Sequence, residues 1–67
     1  MNYEYTDIKS NRKYRIEEDE NVGFYLIVYN LETSSSIADY LCDTLEETFL
    51  EARERFSIND DQWQAIT

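Results

Sequence analysis

The chain has 67 residues, the size of one small domain, and a formal net charge of −9 from fifteen acidic and six basic residues. It contains no histidine and one cysteine, Cys42, so an internal disulfide is excluded and the usual ligands of a structural zinc site are missing. We expect no metal and no cofactor, and a core built from apolar side chains alone. Because no apolar run reaches membrane-spanning length and the first ten residues lack a signal-peptide core, we also expect a cytoplasmic protein without membrane contact.

The charge is unevenly distributed along the chain. Residues 1–16 contain four of the six basic residues, whereas residues 17–67 contain thirteen of the fifteen acidic ones. Binding to nucleic-acid phosphates requires clustered Lys and Arg, so a field of this sign disfavours DNA or RNA as a ligand. It favours a basic partner, although acidic side chains can also serve only to keep a small domain soluble.

The first part of the chain alternates with the period of half-buried strands. Tyr3 and Tyr5 alternate with polar residues in "YEYTDI", and Tyr14 and Ile16 do so in "RKYRIEE". Residues 10–11, "SN", are turn formers. The pattern predicts two antiparallel strands joined by a hairpin.

The strand that follows Gly23 is apolar on both faces. One face carries Phe24, Leu26 and Val28, and the other carries Tyr25, Ile27 and Tyr29. This predicts a central strand whose second face is at least partly covered, and leaves open which face a helix would cover. The polar stretch "NLETSSS" predicts a loop or wide hairpin, followed by a fourth strand in "SIADYL".

The segment "DTLEETFLEARERF" has the most regular pattern. Its apolar residues recur at helical spacing: Leu45, Phe49, Ala52 and Phe56. Thr44 and Glu47 have the spacing of a capping box, and Asp43 adds negative charge at the positive end of the helix. The spacing predicts a helix over about residues 44–56 with the apolar stripe buried.

The end of the chain is less regular. Because no glycine follows Phe56, we expect residues 57–61 to end the helix, and Trp63 and Ile66 predict one helical turn that returns to the core. The predicted fold over residues 1–67 is a single α+β domain, with a three- to four-stranded antiparallel sheet, one helix packed on one of its faces and a short C-terminal helical turn.

Catalytic constellations are not apparent. There is no histidine base, Cys42 has no histidine partner, and pairs of carboxylates arise by chance in so acidic a chain. We therefore expect no enzymatic activity and a structural role for Cys42. Asp19, Asn21 and Gly23 resemble part of a calcium-binding loop, but the glycine falls one place early, and a polar hairpin tip is the better interpretation.

Two charged segments remain as candidates for binding. The cluster "KSNRKYR" could contact nucleic acid through its basic residues and Tyr14, but we favour pairing with Glu17, Glu18 or Glu20, or protection of a sheet edge. The acidic residues away from the helical stripe, together with the run "EEDE", are the candidate partner-binding residues: Glu17, Glu18, Asp19, Glu20, Glu46, Glu47, Glu51 and Glu54. Glu51 is also spaced to pair with Arg55.

From "GFYLIVYNLE" to "IADYLCDTLEETFLEARERF" the chain resembles the amino-terminal half of HicB-like antitoxins. The matching residues are Gly23, Phe24, Tyr25, Asp43, Thr44, Leu45, Glu46 and Glu47. The resemblance implies a small sheet packed by helices and a protein that blocks a small basic RNA-cleaving toxin. The chain departs from the family at "NLETSSS", which replaces a Pro-Gly turn, and it lacks the carboxy-terminal DNA-binding part, so autorepression is not implied.

A second resemblance is to small acidic bacterial immunity-type proteins and uncharacterised proteins, built as a sheet plus one helix and ending in a tryptophan like Trp63. The leading hypothesis is therefore a non-enzymatic, cytoplasmic, bacterial interaction protein that binds or neutralises a basic protein partner. The alternative is a small structural domain that associates with itself, as a homodimer, through the two-faced strand 24–29.

Overall fold

The computed structural model describes residues 1–66. Four strands follow one another as β1 (Asn2–Asp7), β2 (Arg12–Asp19), β3 (Gly23–Asn30) and β4 (Ser36–Cys42). Helix α1 (Leu45–Phe56), a 3-10 turn (Asp60–Gln62) and a two-residue strand β5 (Gln64–Ala65) complete the chain. The strands form one open antiparallel sheet in the order β4-β3-β2-β1-β5. The predicted α+β class and helix are confirmed, but the sheet has five strands, not three or four.

The fifth strand replaces part of the predicted C-terminal helical turn. The helical turn lies before Trp63, where Asn59 N–H donates to Gln62 Oε1 at 2.7 Å. After Trp63 the backbone is extended, and Ala65 pairs with Tyr3 on β1. Trp63 packs on the core as expected, whereas Ile66 is exposed. A two-residue strand is too short to show a period, and it forms because β1 offers an unpaired backbone edge.

The three hairpin loops are each preceded by a strand residue whose side chain bonds to the loop backbone. The side-chain oxygens of Asp7, Asp19 and Asn30 accept the backbone N–H two residues later, at 3.1, 3.0 and 3.0 Å. Such bonds stabilise a turn locally and explain why the chain reverses at these points. The predicted turns at residues 10–11 and in "NLETSSS" are confirmed, and the carboxylate of Asp19 serves the hairpin tip.

The helix covers the face of the sheet that carries Phe24, Leu26 and Val28. The buried apolar residues come from both layers: Tyr14, Ile16, Leu26, Val28, Ala52 and Ile58. Aromatic rings join the layers, with Phe49 edge-on to Tyr3 at 5.4 Å and Phe56 against Tyr14 at 5.0 Å between ring centroids. The predicted helical stripe therefore packs as expected, and burial of this apolar area is the main stabilising term for so small a chain.

Gly23 begins β3 in a conformation that other residues rarely adopt. Its φ is +138°, and a Cβ atom built there would lie 2.4 Å from the carbonyl oxygen of Cys42. Residues with a side chain avoid this backbone region because of steric clashes. The close approach of β3 to the end of β4 thus depends on a glycine at this position.

Hydrogen bonds from side chains and backbone cap both ends of the helix. Thr44 Oγ1 accepts the N–H of Glu47 at 3.1 Å, as predicted for a capping box, but the Glu47 carboxylate accepts the N–H of Asp43, not of Thr44. At the other end Ser57 adopts the left-handed conformation (φ 58°, ψ 32°), and its N–H donates to Arg53 O at 3.0 Å. The helix therefore ends within the range expected, with serine where glycine is commonest.

Substitution of Ser57 by glycine is expected to stabilise the protein. Glycine adopts the left-handed conformation without the steric cost that a Cβ atom adds, so we expect the free energy of unfolding to rise by about 0.5 to 1 kcal/mol. Urea denaturation followed by circular dichroism measures this change. The matched variant Ser36→Gly, which places glycine in strand β4, is expected to be destabilised. A Ser57→Gly protein less stable than wild type would contradict the role of this cap.

Candidate interaction surfaces

The two predicted acidic segments lie at the same end of the sheet. Phe24 pairs with Glu18 on one side and with Cys42 on the other, so the run 17–20 and the start of the helix occupy neighbouring strand ends. Glu18 and Cys42 are two strands apart, about 10 Å between backbones. We call this region the acidic end and define it by Glu18, Asp19, Glu20, Asp43, Glu46 and Glu47. Glu51 and Glu54 lie further along the helix.

The eight predicted residues differ in what their carboxylates contact. Ion pairs within the chain engage Glu17 with Arg15 (3.2 Å), Glu18 with the Met1 ammonium group (2.6 Å) and Glu51 with Arg55, the last as predicted. Backbone N–H groups engage Asp19 and Glu47. Within residues 1–66, the carboxylates of Glu20, Glu46 and Glu54 have neither an ion pair nor a hydrogen bond, which leaves them available to a partner.

A cleft of about 380 Å³ opens beside the first half of the helix. Its lining combines carboxylates with apolar surface: Glu46, Glu47, Phe49, Leu50, Arg53 and Asp60. The Arg53–Asp60 ion pair, at 2.6 Å, occupies one side, and Leu50 is exposed. A cleft with an apolar wall and a carboxylate at its rim is suited to a Lys or Arg side chain, which carries an apolar stem and a charged head. The helical pattern identified Glu46 and Glu47, but Leu50 was not predicted as part of a site.

The basic cluster makes its ion pairs mainly with a residue that the sequence did not indicate. Lys13 Nζ lies 3.3 Å and Arg15 Nη1 4.0 Å from Glu4 Oε2 on β1, in addition to the Arg15–Glu17 pair. The predicted partners Glu18 and Glu20 are not used. Edge protection is also wrong for Lys13 and Arg15, because β2 is an interior strand. The hairpin register, which places Glu4 opposite Arg15, is the signal that could have found this pairing.

The second face of the sheet carries no other layer within residues 1–66. We call it the open face and define its apolar part by Tyr25, Ile27, Tyr29 and Leu41. Leu41 is 53% exposed, and the remaining three are half-buried among their neighbours. A shallow cavity of about 260 Å³ beside it is lined by Lys13, Arg15, Tyr29, Asn30, Leu31 and Ser34. The expected cover for this face is therefore not provided by the described part of the chain.

Cys42 lies at the end of β4 with its thiol in a poor setting for nucleophilic chemistry. Burial raises the pKa of the Cys42 thiol, and the carboxylates of Glu51, Glu47 and Asp43 raise it further, whereas a hydrogen bond with Thr48 lowers it. At neutral pH the less reactive protonated thiol dominates. Burial and the acidic start of the helix thus both work against a thiolate at Cys42.

Across residues 1–66, no three His, Cys, Asp or Glu side chains are grouped so that they could hold a metal ion. The single α-helix in this range is too short and too polar to cross a membrane.

The chain was also compared with protein-family models, with curated proteins and with solved structures, and none of them matches it.

Proposed function

We propose that this is a non-enzymatic interaction protein, which binds and neutralises a basic protein partner through its acidic end and the cleft beside the helix. The observation that carries the proposal is the cleft, in which the unpaired carboxylate of Glu46 lies next to the exposed apolar surface of Leu50. This pair of features suits the stem and head of one Lys or Arg from a partner.

The net charge supports the same interaction over a longer range. A chain with a charge of −9 attracts a basic protein before contact, which raises the association rate, and this attraction falls as salt screens it. Ion pairs at an exposed rim add little affinity by themselves. We therefore assign most of the affinity to the apolar wall of the cleft, which the partner would cover on binding. The carboxylates around the cleft would attract the partner and orient it.

The resemblance to HicB-like antitoxins suggests which class of basic protein the partner belongs to. That family blocks a small basic RNA-cleaving toxin, and such a toxin is a partner of the charge proposed here. In that setting the protein acts in the bacterial cytoplasm and needs no catalytic residue, metal or cofactor.

The test is reversal of one carboxylate in the cleft, Glu46→Lys. The variant and the wild type are used to capture proteins from lysate of the source cells at low and high salt, and the retained basic protein is purified for calorimetry. Because a like charge facing a basic group costs several kcal/mol, we expect binding at least about tenfold weaker in the variant. Wild-type binding should weaken as salt rises.

The matched control is Glu32→Lys. Glu32 lies in the β3–β4 loop at the opposite end of the sheet, is exposed, and its substitution changes the net charge by the same amount. If both variants lose affinity equally, overall charge and not the cleft determines binding. Retention of no basic protein at low salt would remove the basis of the proposal.

The open face favours a second candidate function, a structural domain that associates with itself. Its apolar side chains have no cover in the described chain, and a second copy would provide it. Sedimentation over a range of protein concentrations tests this function, because a monomer at all concentrations would exclude it.

A further inference from the structure

We propose that two copies of the chain pair face to face through their open faces, around a two-fold axis parallel to β3, so that Asp39 of each copy faces Arg15 of the other. This inference rests on the self-association proposed above and specifies its geometry. It adds a second interface that is separate from the cleft beside the helix, because the helix and the open face lie on opposite sides of the sheet.

The inference starts from one row of residues across the open face. The strand register places Asp39 of β4, Ile27 of β3, Arg15 of β2 and Glu4 of β1 side by side. Neighbouring strands are about 4.8 Å apart, so Asp39 and Arg15 lie at equal distances on either side of Ile27. The row therefore carries the carboxylate of Asp39 on one side of the apolar Ile27, and the guanidinium group of Arg15, with Glu4 beyond it, on the other.

This pattern is self-complementary about one axis only. A two-fold axis that runs along β3 above Ile27 places β4 of one copy over β2 of the other, so Asp39 meets Arg15 twice while Ile27 meets its own symmetry mate. An axis across the strands would place Asp39 over Asp39 and Arg15 over Arg15, which is repulsive. Because an interface of this symmetry uses the same patch twice, the charges select the first arrangement.

The side chains of Asp39 and Arg15 are both accessible to a second copy of the chain. Asp39 is exposed and has no ion pair or hydrogen bond within residues 1–66. Arg15 lies 4.0 Å from Glu4 and 3.2 Å from Glu17, and its side chain is still 29% exposed. A guanidinium group has five N–H donors and can serve more than two carboxylates. Sheets that pack in this way lie about 10 Å apart and about 30° from parallel, within reach of these side chains.

The area of the open face determines how strongly two copies are expected to associate. Four strands about 4.8 Å apart and about six residues long give roughly 400 Å² on each copy, or about 800 Å² in total. Stable specific interfaces bury about 1,200 Å² or more. The pairing should therefore be reversible, with a dissociation constant on the order of 0.1 mM, and detectable at protein concentrations near 1 mM.

The test uses two charge reversals, Asp39→Lys and Arg15→Glu, studied alone and mixed. Sedimentation equilibrium should show self-association of the wild type near 0.1 mM and monomers for each variant alone, because each homodimer would contain two repulsive contacts. The equimolar mixture should associate again. In the mixed dimer the two introduced side chains, a lysine and a glutamate, face each other in one contact, and the unchanged Asp39 and Arg15 face each other in the other.

Two controls keep the result interpretable. Glu32→Lys changes the net charge as Asp39→Lys does and should associate like the wild type. Ile27→Asp should be monomeric, and it tests the face independently if circular dichroism shows that Arg15→Glu does not fold. A monomeric wild type at about 1 mM would overturn both the self-association function and this geometry. A wild-type dimer that survives Asp39→Lys and Ile27→Asp, or variants that fail to rescue each other when both are folded, would overturn the geometry alone.

Discussion

Replacement of Gly23 by alanine is expected to lower the free energy of unfolding by about 4 kcal/mol. Two costs combine. A residue with a side chain is strained at a φ of +138°, and the new Cβ atom would lie 2.4 Å from a backbone oxygen, Cys42 O, which cannot rotate away. Relief of this clash requires β3 and the end of β4 to move apart at the point where the helix begins.

The measurement is thermal and urea denaturation followed by circular dichroism. A domain of this length has about 3 to 10 kcal/mol of stability in total, so a loss of about 4 kcal/mol removes a large share of it and should lower the urea midpoint markedly. The midpoint of thermal unfolding should fall by at least about 15 °C. Val22→Ala, which changes an exposed neighbour in the same turn, is the control and should cost less than about 0.5 kcal/mol. A Gly23→Ala protein of wild-type stability would contradict the close approach of the two strands.

The second large effect is expected for Trp63→Ala. The Trp63 ring lies between Tyr5 of β1 and Phe49 of the helix, with ring centroids 6.3 and 6.4 Å away, and it connects the C-terminal segment to the core. Removal of a large aromatic side chain from such a site costs about 3 kcal/mol through lost apolar burial and the cavity that remains. Urea denaturation should show a correspondingly lower midpoint.

Two further variants separate the contribution of the Trp63 ring to stability from that of the rest of the C-terminal segment. Trp63→Phe should cost less than about 1 kcal/mol, because it keeps an aromatic ring and the buried indole Nε1 donates to no partner in the described chain. Ile66→Ala removes an exposed side chain from the same segment and should have little effect. If Trp63→Ala were as stable as Ile66→Ala, the C-terminal segment would not be part of the core.

The elements with repeated patterns were predictable from the sequence. The helix has a period, a cap and a charge pattern that agree, and its stripe from Leu45 to Phe56 packs as predicted. The two tyrosine-rich strands and the strand after Gly23 show the period of two over several residues. Local turn chemistry at Asp7, Asp19 and Asn30 then joins these strands without help from distant residues.

The choice between the faces of β3 could not be predicted from β3 alone, because both faces are apolar. The neighbouring strands decide it. The register places Tyr14 opposite Val28 and Ile16 opposite Leu26, whereas the other face of β2 presents charged residues. Apolar area therefore accumulates on one side only, and the helix packs there.

The candidate site was predictable in its charges but not in its shape. The sequence indicated Glu46 and Glu47 through their position on the helix, yet the cleft also needs Asp60, which returns to the helix only through the 3-10 turn. The pairing of Glu4 with Lys13 depends on a hairpin register that the alternation does not determine.

The position of β5 has a consequence for the order in which the chain folds. Strands β1 to β4 are joined by loops of three to five residues, so each can add to its predecessor by closing a short loop. β5 instead pairs with β1 across nearly the whole chain, where Ile66 N–H donates to Asn2 O at 3.0 Å. Loop closure over this separation costs about 2 kcal/mol more in chain entropy than closure of a hairpin. The first and fifth strands should therefore meet last, after the four-stranded meander and its helix have already brought them together.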